Sequence, residues 1–142
     1  MNLNMTSKNF VSLTVLLWFG SATVNSAETM SLGRAVDCAA DAKYAADVIE
    51  YLRNSGLEVS FDQVEAAQAF RARAFENAAR IAVENSLTED DFSKQLASTN
   101  ESKQQGFNTM VQSLGAEQAM RTVVDRALEC RSEFTELGIA VF

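Results

Sequence analysis

The sequence predicts an all-α protein: a single-domain, up-down four-helix bundle that follows an N-terminal signal peptide, its third helix interrupted by a polar stretch. Three observations predict it. Proline is absent from all 142 residues, so the strongest helix breaker is missing. Alanine is abundant and runs of β-branched residues are lacking after the first segment, which favours helix over sheet. Apolar side chains then recur at steps of three and four, the spacing of one helix face.

The amino terminus reads MNLNMTSKNFVSLTVLLWFGSATVNSAETM, with Lys8 its only charge before Glu28. The apolar run from Phe10 to Phe19 leads into Gly20, Ser21 and Ala22. A positive start, a short apolar core and a small-residue exit are the parts of a secretory signal peptide. Cleavage after Ser26 or Ala27 is expected, which assigns residues 1–26 to the signal and 27–142 to the bundle. The competing readings are a retained membrane anchor and a buried first helix. A spanning helix needs about 20 mostly apolar residues, and this run is broken by Ser12, Thr14, Gly20, Ser21 and Thr23.

Four helical stretches follow. The first is expected over about Met30 to Asn54, stopped by Gly56, with Cys38, Ala42, Ala45, Ile49 and Leu52 on one stripe. The second begins after Ser60 or Asp62 and runs to about Glu84, with Val64, Ala67, Phe70, Ala74, Ala78 and Ile81 facing inward and Phe75 beside them. Thr88 then reads as an N-cap, with Glu89, Asp90 and Asp91 at the positive end of the helix dipole. The last helix spans about Ala116 to Gly138, with Met120, Val123, Ala127, Cys130, Phe134 and Leu137 sharing its inner face.

The third stretch is apolar only at its ends: Phe92 and Leu96, then Phe107, Met110, Val111 and Leu114. Its middle, STNESKQQ at residues 98–105, has no apolar side chain. Extending the stripe lands on Thr99 and Lys103, which a dry core rejects. A loop or exposed kink is therefore expected there; the functional alternative is a wet groove or a partner contact. Asn100, Glu101 and Ser102 also fit the N-glycosylation triplet, a short pattern common by chance.

Cys38 and Cys130 are the only cysteines. In a four-helix up-down bundle the terminal helices run antiparallel, so these positions fall at similar heights on facing stripes. An even count and an export signal favour a disulfide; two independent buried thiols are the alternative. A fifth helix created by a hairpin at the polar stretch would place the cysteines at opposite ends.

Histidine is absent. That excludes Ser-His-Asp and Cys-His nucleophiles, the histidine zinc sites and the Glu-x-x-His di-iron bundle. Cys-x-x-Cys-His, a phosphate loop, a dinucleotide fingerprint and a calcium loop are also missing. No catalytic, cofactor-binding or metal-ligating residue is assigned, and the chain is expected not to be an enzyme. The formal net charge of −7 becomes −8 once Lys8 leaves with the signal, which disfavours nucleic acid.

The expectation is a periplasmic or secreted helical module that binds an envelope or extracellular protein, with Tyr44 and Tyr51 as contact groups. One alternative is a carrier of an apolar small molecule held by Phe92, Phe107 and Met110. Another is a membrane-tethered accessory subunit, should the N-terminal segment be retained.

Overall fold

The computed structural model describes residues 29–142; the signal-peptide reading lies outside them. Four α-helices and no strand make up the described residues: α1 Leu32–Asn54, α2 Phe61–Glu84, α3 Glu89–Leu114 and α4 Ala116–Glu136. They form the four-helix bundle that the periodicity predicts.

The helix ends are set by local chemistry. Ser31 accepts from the Arg34 amide at α1, and Thr88 from the Asp91 amide at α3. Ser60 and Gln63 bond each other reciprocally in a capping box at α2. Gly56, with φ 79°, ends α1 in a Schellman turn: its amide reaches the Arg53 carbonyl and the Leu57 amide reaches the Leu52 carbonyl. The same turn closes α2, but there the left-handed position is held by Ser86 at φ 60°. A single residue, Gly115, joins α3 to α4 with φ 88° and ψ 160°, a conformation open essentially to glycine alone.

α1 is the innermost helix and packs against all three others. Its buried residues, Ala35, Val36, Cys38, Ala39, Ala40, Asp41, Ala42, Ala45 and Ala46, go round the whole circumference rather than along one stripe. Alanine makes this arrangement workable, because small side chains let three neighbours approach one axis closely. Ile49 and Leu52, at the far end of the expected stripe, are only half-buried.

One finding corrects the expected break in the third helix: α3 runs through residues 98–105 without interruption. Lys103 reaches Asp37 at 2.6 Å and Asp41 at 3.0 Å on α1. The Tyr44 hydroxyl donates to the Asn100 carbonyl at 2.9 Å. The polar middle of α3 thus meets a polar patch on α1, so burial there carries ionic and hydrogen-bonded partners instead of a desolvation penalty alone.

The main core joins the N-terminal half of α1, the C-terminal halves of α2 and α4, and the start of α3. Met30, Val36, Cys38, Phe70, Ala74, Ala78, Ile81, Phe92, Cys130 and Phe134 all belong to it. Phe70 and Phe134 meet edge to face, centroids 5.3 Å apart. Cys38 is six residues after the start of α1 and Cys130 six before the end of α4, each about 9 Å from that end of the bundle. Their Cα atoms are 5.6 Å apart and their sulfurs lie at bonding distance. The other end holds a far smaller cluster of Ala45, Val123 and Ala127, with Tyr44, Val48, Phe107 and Met110 packed around it.

Candidate functional site

α2, α3 and α4 pack around α1, and grooves lie between them where the α1 side chains are small. The groove over α1, α3 and the start of α4 has a volume of about 460 Å³ and contains both tyrosines singled out in the sequence. Tyr44, Val48, Tyr51, Phe107, Val111 and Met120 supply its apolar surface, with Asp47 and Gln104 as polar groups. The Tyr44 hydroxyl is committed to α3, through the Asn100 carbonyl and Gln104 Oε1 at 3.3 Å. Tyr51 is different: it is 61% exposed. One tyrosine therefore builds the groove, and the other is available at its mouth.

A second groove, of about 380 Å³, runs between α2 and α4 over α1. Its floor is alanine, and Ile49, Leu52, Phe70, Val124 and Leu128 form its walls. At the open end of the bundle several large apolar side chains face water. Tyr51, Leu57, Phe61 and Leu114 are each more than half exposed, and the Phe61 ring is partly covered by the Arg53 guanidinium at 5.2 Å.

Three sequence-predicted residues are not brought together. Phe92 is buried in the main core, where its ring lies 5.8 Å from that of Phe75. Phe107 and Met110 belong to the small cluster at the opposite end. Fifteen residues of helix separate Phe92 from Phe107, about 22 Å of rise, so no single cavity is lined by Phe92, Phe107 and Met110. Phe75, expected beside the core, is 48% exposed. Asn100 sits within α3 rather than on a surface loop, and its side-chain oxygen is buried without a hydrogen-bond partner among the described residues.

An ionic network that the sequence did not reveal crosses the bundle beside the cysteines. Glu133 accepts from Arg34 at 2.8 Å, Arg34 reaches Asp37 at 3.2 Å, and Lys103 joins Asp37 to Asp41. Asp41 is buried, and the loss of water pushes its carboxyl above the usual range while the hydrogen bond from Lys103 pulls it back. The signal that would have found it was present: Lys103 on the apolar stripe of one helix, and two acids four apart on another. Nothing local told which would meet which.

Among the described residues, no group of acids and cysteines is arranged to hold a metal ion. None of their helices is long and apolar enough to cross a membrane. Comparison with known proteins finds no matching family model, no matching curated protein and no matching solved structure.

Proposed function

We propose that the chain is an exported, protein-binding helical module whose contact surface is the open end of the bundle. The supporting observation is the exposure of Tyr51, Leu57, Phe61 and Leu114 at that end, next to the groove that holds Tyr44 and Tyr51. Large apolar side chains gathered beside a concavity suit a surface that another protein covers. Tyrosine fits that role, offering wide apolar area with a polar tip and little entropy to lose. Cysteines placed for a bridge suit the oxidising periplasm or cell exterior.

Site-directed photo-crosslinking tests the proposal. With a photoreactive residue at Tyr51, the protein in its native envelope should give one discrete adduct with another protein. Phe61→Ser should abolish that adduct while leaving the helix content unchanged. A chain that stays uncrosslinked at Tyr51, or whose adduct ignores Phe61→Ser, would overturn the assignment of this surface.

A further inference from the structure

We infer that the groove between α2 and α4 is a binding site for a single-chain anionic amphiphile of the fatty carboxylate class, its head at Arg131 and its chain running towards Leu52. The site is distinct from the tyrosine groove. Its walls are almost wholly apolar, and two charged residues contribute to its lining, Arg131 and Glu58. These mark opposite ends. Arg131 lies in the C-terminal part of α4, one residue past Cys130 and so near Cys38 on α1, whereas Glu58 follows the end of α1.

Arg131 is the unusual member. Among the described residues its guanidinium makes no ion pair and no hydrogen bond, and its one contact is with the Phe142 ring, 4.6 Å from the centroid. The Arg73 Nε donates to the Phe142 main-chain oxygen at 2.8 Å, which links α2 to the carboxy-terminal segment. The Phe142 ring covers one side of the guanidinium, and its N–H donors, which make no hydrogen bond among the described residues, can receive a carboxylate in a bidentate fork. Arg34, Arg71 and Arg73 are already committed to carboxylates. Arg53 and Arg126 have no ion pair among the described residues either, but only Arg131 among the cations lines this groove.

The remaining walls describe the tail. From Ala42 to Leu52 the floor of α1 extends about 15 Å. Along it Ala45, Ala66 and Ala127 leave room that Ile49, Leu52, Val124 and Leu128 flank with apolar surface. A narrow apolar trough ending at one uncommitted cation matches a straight alkyl chain with one anionic head. The opposite orientation would set the head against Glu58, the one charged residue lining that end, while Arg53 beside Leu52 lies over the Phe61 ring and outside the lining.

Calorimetric titration of the natively produced protein with dodecanoate, below its micelle concentration, tests the inference, with dodecanol as the uncharged probe. Dodecanoate should bind saturably. Arg131→Gln should weaken it by about tenfold or more, the usual weight of a hydrogen bond to a charged group, and should leave dodecanol within about twofold, since apolar burial is unchanged. Ala66→Trp, which fills the trough, should remove binding of both probes while helix content persists. Absence of saturable binding, equal dodecanoate affinity with and without the guanidinium, or binding that survives Ala66→Trp would each overturn the site.

Discussion

The two ends of the bundle differ in how their helices are held. At the cysteine end, Phe134, Val36, Cys38 and Cys130 are fully buried, two aromatic rings interlock, and an ionic chain ties α1 to α3 and α4. At the other end alanine and valine touch across a small cluster, and Tyr51, Leu57, Phe61 and Leu114 face water. The same four helices therefore carry a densely packed half and a sparsely packed one. Exposed apolar side chains are not confined to the latter, since Phe75, Val83 and Phe142 also face water in the cysteine half. Alanine accounts for both conditions. It lets three helices crowd α1 where large side chains from the neighbours fill the layers, and it leaves hollows where they do not.

The largest expected effect breaks the closed end. Replacing Cys130 by Ser should lower stability by roughly 4 to 5 kcal/mol on chain-entropy grounds, because the bridge spans a separation of 92 residues. Further replacement of Cys38 should add little, since the two residues act as one unit. Chemical denaturation of oxidised, reduced and substituted protein reads this out. Freely alkylated thiols in the natively produced protein would remove the staple from the account of this end.

Lys103→Met comes next. It leaves Asp41 buried without its cation, which should cost about 3 kcal/mol near neutral pH. The sign of the pH dependence follows from the raised Asp41 carboxyl. A carboxyl raised in the fold contributes stability below its unfolded pKa, and that contribution is lost as pH rises through the folded value. Acidification from about pH 7 to about pH 4.5 should therefore shrink the gap between Lys103→Met and the parent protein. Urea midpoints of both proteins at the two pH values measure it, and a gap that widens on acidification would mean the pair is not buried as described.

The smallest effect sharpens the contrast by strengthening the end that is already strong. Ser86 occupies a left-handed position at φ 60° in the turn between α2 and α3. Ser86→Gly should relieve that strain and raise stability by about 0.5 to 1 kcal/mol, after the greater freedom of glycine in the unfolded chain is deducted. Thermal unfolding of the variant is the check, and a lower midpoint would show that the turn is not strained.

How far the sequence could be read depended on whether an element's partners were local. The caps at Ser60 and Thr88, the stop at Gly56 and the break before Ala116 were legible because each is decided within a few residues. The facing positions of Cys38 and Cys130 were legible too, since helix number and length alone set their heights. The polar middle of α3 misled, because Thr99 and Lys103 look unburiable until Asp41 and Tyr44 are known to face that helix. The cavity expected from Phe92, Phe107 and Met110 failed on distance along one helix, a quantity the sequence contains once α3 is known to be continuous.

By itself, then, the sequence determined four helical segments, the caps at Ser60 and Thr88, the stop at Gly56, the absence of histidine and the pairing height of the cysteines, all of which follow from local propensity, composition and rise per residue, whereas the continuity of α3 did not. Only the tertiary structure decided that three helices pack around the N-terminal half of α1, that Lys103 is received by Asp37 and Asp41, and that Arg131 ends an apolar trough unpaired. Those outcomes depend on which helix faces which, and a charge or an alanine takes its meaning from the surface placed against it.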